Sequence, residues 1–208
     1  VSASLLYLTC SQNKTCIGLK PVAAGCDKTE QGWRNQDALQ LQQLCAPPLP
    51  YHRVNPIALI SPLAPHIAAA EQGVTLSAEA IASHCAAVLQ HGVDLGLVEG
   101  AGGWRVPLND SESLADVAKK LQLPVVLVVG LRLGCINHAL LSADAIRGDG
   151  LKLAAWVGNC IDPNMHAVQE NFATLSQRLD APCLGFIPHL DFVTPQDASL
   201  HLDIRKLL

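Results

Sequence analysis

The run Pro124–Val129 reads PVVLVV, without one polar side chain, and constrains the fold more than any other stretch of the chain. A strand with one face in water alternates polar and apolar residues; a strand covered on both faces does not, and double covering is the habit of parallel sheets. Further apolar runs stand at Thr15–Val22, Val93–Val98, Leu151–Val157 and Cys183–Ile187. Segments of helical spacing lie between them: 1–12, a helix start at Asn35–Leu41, Ser77–Gln90 capped by Ser77, Ser111–Leu121, Gly134–Arg147 and Pro163–Arg178. Strand and helix alternate at roughly 25 to 30 residues per unit, which predicts an α/β fold, a mostly parallel sheet with right-handed crossovers. Pro47–Pro65 carries six of the thirteen prolines and is expected as an irregular loop over the sheet edge, a place where function often sits. A short amphipathic segment follows from Gln196.

With 208 residues, half of them hydrophobic, the chain can bury one sizeable core, and a single domain over 1–208 is expected. A net charge of −4 and the lack of any Lys/Arg run exclude nucleic acid or an anionic membrane as the main partner. No apolar run approaches the roughly 20 residues of a membrane span. The N-terminus also lacks the regions of a signal peptide, so a cytoplasmic protein acting on small molecules is expected. The eight cysteines show no C-x-x-C and no zinc spacing with histidine, and read as reduced thiols in the core.

The chemistry-bearing residues sit where strands end. Lys20, Glu99, Asn159 and His189 follow the ends of successive apolar runs, and in parallel sheets those ends face the ligand crevice. Glu99 is followed by Gly100-Ala101-Gly102-Gly103, where glycines allow close backbone approach to a bulky anion. A carboxylate beside a phosphate-sized space suggests Mg²⁺ held by oxygen ligands. Each residue also has a plainer reading: Glu99 as a solvated cap, Lys20 as a lysine reaching out of the sheet end, Asp37 as an acid favoured by a helix N-terminus.

Five segments in one order decide between these readings: Gly18-Leu19-Lys20-Pro21-Val22-Ala23-Ala24-Gly25, Arg34-Asn35-Gln36-Asp37-Ala38-Leu39, Val98-Glu99-Gly100-Ala101-Gly102-Gly103-Trp104, Leu123-Pro124-Val125 and Gly134-Cys135-Ile136-Asn137-His138-Ala139. Together they resemble the dethiobiotin synthetases, over essentially the whole chain. The resemblance implies a P-loop NTPase-like fold with helices on both faces of the sheet, and a cyclo-ligase of biotin biosynthesis. Its reaction takes 7,8-diaminononanoate, CO₂ (or bicarbonate) and ATP with Mg²⁺ to dethiobiotin, ADP and phosphate through a carbamate and its mixed anhydride.

The resemblance also implies residue roles. Lys20 is the catalytic lysine and a substrate contact; Asp37 and Glu99 hold Mg²⁺; Glu99, Gly100, Ala101 and Gly102 lie beside the nucleotide. Asn159 reads the adenine edge, with Pro188, His189 and Leu190 on the adenine side. Ala24, Gly134, Cys135 and Asn137 belong to the substrate, the last three at a helix N-terminus that receives its carboxylate across a homodimer. His138 is expected to be structural.

Two departures go with it. The family's glycine-rich loop ending in Gly-Lys-Thr is not found, and Val1-Ser2-Ala3 matches the residues just after it, so a chain lacking the P-loop and the first strand is expected. Ala24 stands where a serine is common and Cys160 where an aspartate is common. A cobyrinic acid amide synthetase type would need a glutamine-hydrolysing domain, for which 208 residues leave no room. The remaining alternative is an inactive, truncated remnant serving only as a binding or dimerisation module.

Overall fold

The computed structural model describes residues 1–90 and 92–207. The chain forms two compact units: Thr9–Gln122 with Ser2, and the chain from Leu123 onward with Val1 and Ala3–Leu8.

The first helix, α1, spans Ser2–Ser11. In the Thr9–Gln122 unit it is followed by β1 (Cys16–Leu19), whose four residues are all buried. Pro21 has no N–H to donate, and the ladder breaks there as its ring requires. The chain resumes directly as β2 (Val22–Ala23), then a hairpin of β3 (Asp27–Thr29) and β4 (Gly32–Arg34), with Gly32 at φ 101°. Helix α2 (Gln36–Leu44) begins at Asn35, whose side chain accepts the Ala38 N–H. The proline-rich segment is not irregular throughout, as the sequence suggests. It contains a one-turn helix, α3 (Tyr51–Val54), and a short strand, β5 (Ile57–Ala58), before Pro65 opens α4 (Pro65–Glu71). Helix α5 (Ala78–Leu89) carries the expected Ser77 cap.

Strand β6 (Leu95–Val98) pairs in parallel with β1, Leu19 opposite Val98, and β2 pairs in parallel with β5. The expected full burial of this strand is not met: only Leu95 is buried, Gly96 is exposed and the rest half-exposed. Helix α6 (Leu114–Leu121) packs on α5 and starts later than the sequence suggests. Its capping pair is Ser113 with Asp116. A Ser-x-x-Asp box satisfies the N-cap amide.

In the other unit β7 (Val125–Leu131), β8 (Leu153–Cys160) and β9 (Cys183–Ile187) form a parallel sheet in the order 7-8-9. Their connections are α7 (Cys135–Gly148) and α8 (Val168–Arg178). The latter begins five residues after Pro163, behind Ala167 in a left-handed conformation. Trp156 and Leu175 are fully buried, and Phe172 stacks between Trp156 and Phe186 with ring centroids 5.1 and 5.3 Å away. A short helix α9 (Pro195–Ser199) and a 3₁₀ turn (Ile204–Lys206) make up the C-terminal segment. Among the described residues the named strands pair in parallel except in the β3–β4 hairpin, and three isolated antiparallel bridges, Cys16–Ala46, Pro107–Ser113 and Gly185–Leu202, add to them. Among the described residues no helix is long and apolar enough to cross a membrane. None of the eight cysteines forms a disulfide, and burial pushes the Cys16 and Cys85 thiols up to about 12, which keeps both protonated.

Candidate active site around Lys20

Parallel pairing of β1 with β6 sets the site. Leu19 and Val98 are register partners, so Lys20 and Glu99 leave the sheet at the same end, and the Glu99 amide donates to the Leu19 carbonyl at 2.7 Å. Lys20 Nζ donates to Glu99 Oε1 at 2.6 Å and to the Gly100 carbonyl at 3.3 Å, and lies 3.1 Å from Asp37 Oδ2. Asp37 reaches it from the first turn of α2, where the macrodipole also favours an acid.

Exposure differs sharply among the three side chains: 9% for Lys20, 29% for Glu99 and 61% for Asp37. Burial on its own disfavours the ammonium, but the Glu99 and Asp37 carboxylates outweigh it and hold the Lys20 pKa above the usual lysine value. Lys20 is therefore a fixed cation across neutral pH.

A recess of about 310 Å³ opens here, lined by Lys20, Ala24, Asn35, Asp37 and Ala101, and by Pro62, Leu63 and Pro65 from the proline-rich segment. The sequence-predicted Lys20, Ala24, Asp37, Glu99 and Ala101 are thus brought together, with Gly100 bound to Lys20 through its carbonyl. Gly102 follows at φ 105°, a conformation that favours glycine. Of the residues that line the recess, Pro62 and Leu63 are named in no sequence-based expectation. The proline cluster was their only signal.

Two hard oxygen donors of unequal exposure fit Mg²⁺, which keeps several waters and takes one or two carboxylates plus substrate phosphates. Among the described residues no group of three or more His, Cys, Asp or Glu is placed to hold a metal ion.

In the other unit, Asn159 lies within β8 rather than after it, opposite Ile187 in register. The strand extends further than expected because Gly158, Asn159 and Cys160 keep pairing with β7. Pro188, His189 and Leu190 come directly after Ile187, the register partner of Asn159; His189 is exposed, the other two half-exposed. Gly134, at φ 91°, caps α7 without a side chain, and Asn137 is exposed in the first turn. Cys135 is buried and its amide donates to the Arg132 carbonyl, so that amide already has an acceptor. His138 is exposed rather than packed. A larger recess of about 630 Å³ lies near the start of β8, around Lys152, Arg178 and Lys206. It holds none of the predicted residues, and the smaller recess is the stronger candidate because it sits where parallel strands end.

A family model described as an AAA domain matches residues 1–197. The chain is 54% identical over 208 residues to an ATP-dependent dethiobiotin synthetase of Cellvibrio japonicus, covering 100% of this chain and 91% of the relative. It is 54% identical over 207 residues to the enzyme of that name from Pseudomonas aeruginosa, with the same coverage, and 51% identical over 209 residues to that of Chromohalobacter salexigens, covering 97% and 88%. The expected loss of the P-loop and first strand finds no support in these matches, and neither does the inactive remnant. The matches run along the whole chain, and the family match covers residues 1–197.

Proposed function

The chain belongs to the ATP-dependent dethiobiotin synthetases, an enzyme family of the ligase class, and from that premise we propose how its residues divide the work. One amine of 7,8-diaminononanoate takes up CO₂ as a carbamate. A carbamate oxygen attacks the γ-phosphorus of ATP, ADP leaves, and the second amine closes on the carbamoyl carbon and expels phosphate.

Such a sequence asks for charge neutralisation and alignment rather than for a strong base. The single observation that carries the assignment is the buried Lys20 ammonium at the strand end, charged at neutral pH and flanked by Glu99 and Asp37. Lys20 steadies the carbamate and the equatorial oxygens of the transferring phosphoryl group with N–H donors. Asp37 and Glu99 would hold Mg²⁺, which supplies charge neutralisation at the phosphates. Gly100, Ala101 and Gly102 let the backbone lie close to them. Ala24 contacts substrate with backbone and methyl only, giving up the hydroxyl contact a serine would make.

In the unit from Leu123 onward, Asn159 offers an amide suited to the adenine edge, and Pro188, His189 and Leu190 flank it. Gly134, Cys135 and Asn137 form the helix start that receives the substrate carboxylate in a homodimer. The exposed Leu133 and Leu141, 96% and 60% accessible, support an association surface around that helix.

The test is product stoichiometry. Incubation with diaminononanoate, bicarbonate and Mg·ATP should yield dethiobiotin and ADP one to one, with neither formed when bicarbonate is withheld. ADP released at the full rate without bicarbonate would contradict the carbamate order.

A further inference from the structure

We infer that Tyr51 and Asn55 are positioning residues for the reaction, a buried hydrogen-bonded chain that fixes the backbone of Lys20 against the start of the helix carrying Asp37. The inference rests on the reading of Lys20 and Asp37 given above.

The chain can be followed atom by atom. The Asn35 amide donates to Tyr51 Oη at 2.8 Å, and the Tyr51 hydroxyl donates to Asn55 Oδ1 at 2.9 Å. Asn55 Nδ2 then donates to the Lys20 carbonyl at 2.6 Å and to the Ile57 carbonyl at 3.1 Å. The Lys20 amide donates to the Val54 carbonyl at 2.9 Å, so both backbone groups of the lysine are held by one short segment. At the other end Asn35 Oδ1 accepts the Ala38 N–H at 3.2 Å, which sets the first turn containing Asp37. Asn35 Nδ2 lies 3.5 Å from the Ala24 carbonyl. The chain therefore touches the backbone or the helix start of Lys20, Ala24 and Asp37.

Its members are buried: Asn55 is 3% exposed and Tyr51 8%. Burial raises the Tyr51 phenol pKa, which keeps the hydroxyl a donor to Asn55 at neutral pH. The Arg34 guanidinium lies 4.2 Å from the centroid of the Tyr51 ring and holds it from one side. A buried polar chain of this kind is costly unless complete, and what it yields when complete is one geometry rather than several. Small displacements matter here, because a shift of about 1 Å between reacting groups can cost 10²-fold in rate.

The test uses Tyr51→Phe, which keeps the ring and its contact with Arg34 but removes the hydroxyl. At a temperature well below unfolding, kcat should fall roughly 5- to 20-fold while KM for ATP changes less than about twofold, because alignment is lost before binding. Asn55→Asp, which removes the amide donor to Lys20, should behave alike and carries the test if Tyr51→Phe does not fold. The readout that a merely structural role would not move is the coupling to Lys20. In a Lys20→Gln background, Tyr51→Phe should lower kcat by less than about twofold yet lower Tm as it does in the wild type. Wild-type kcat in the folded variants, or the same fractional loss with and without Lys20, would overturn the inference and leave Lys20 in its role. Wild-type turnover of Lys20→Gln itself would overturn that role and the inference with it.

Discussion

Lys20 Nζ and Glu99 Oε1 lie 2.6 Å apart although 79 residues separate them in the chain, and the cause is register: Leu19 opposite Val98 in a parallel pair. Parallel strands put residues that follow equivalent positions on one edge of the sheet, so one cation and one carboxylate emerge side by side. Asp37 completes the cluster because Asn35 starts α2 at the point that brings its first turn to the lysine.

Glu99→Gln and Asp37→Asn preserve shape and remove a charge each. Either should raise the Mg²⁺ concentration for half-maximal turnover by about tenfold or more, the scale of losing a supporting or direct metal contact. Titration of initial rate against free Mg²⁺ at saturating ATP measures this. An unchanged half-saturation in both variants would remove the carboxylates from metal binding.

The Lys20 ion pairs carry a pH signature. Because the folded pKa is raised, their contribution to stability is fully present below the ordinary lysine value of about 10.4 and is lost only as pH rises through the folded value. The stability difference between wild type and Lys20→Met, from denaturant midpoints, should therefore be flat between about pH 7 and 9 and shrink only above about pH 10.4. A difference that shrinks already at neutral pH would contradict a fixed cation.

Asp116 caps α6 by accepting the Ser113 amide at 2.8 Å and the Ser113 hydroxyl at 2.9 Å. Asp116→Ala should cost about 1 kcal/mol at neutral pH. The Ser113 amide bond leads the causes that hold the Asp116 carboxyl below its usual value. The contribution is thus present above the unfolded value of about 3.9 and disappears as pH falls through the lower folded one. Urea unfolding at about pH 7 and pH 3 should show the gap between the two proteins closing.

Gly158 in β8 faces the aromatic stack, and a Cβ there would sit 2.9 Å from Phe172 Cδ2. Gly158→Ala should destabilise the protein by about 1–3 kcal/mol through overpacking of the Trp156–Phe172–Phe186 stack. Near-wild-type stability would mean that Phe172 moves aside at little cost.

Structure is most legible in the sequence where one residue type does one job. Pro21 ends a strand and Asn35 and Ser77 cap helices, because each signal is local and has few competitors. PVVLVV does form a strand, but not one covered on both faces: of the run only Val129 is buried, and Val128 is 44% exposed. Structure is least legible where a boundary depends on pairing across the sheet. Asn159 was placed after its strand because Gly158 looked like a terminus, yet β8 runs on through Cys160 against β7. Tyr51 and Asn55 were invisible for a related reason. An asparagine within a proline-rich run has no local mark that distinguishes a tether for Lys20 from a turn residue. The trio of Lys20, Asp37 and Glu99 was legible only as separate polar residues, and the β1–β6 register is what joins them.

Steady-state dethiobiotin formation by Lys20→Gln beside the wild type tests most directly whether the Lys20 ammonium steadies the carbamate and the transferring phosphoryl group. Lys20→Gln should lower kcat by about 10²- to 10³-fold, the usual cost of removing a preorganised donor to developing negative charge, with the fold intact by circular dichroism. A folded Lys20→Gln protein that makes dethiobiotin at the wild-type rate would contradict that role.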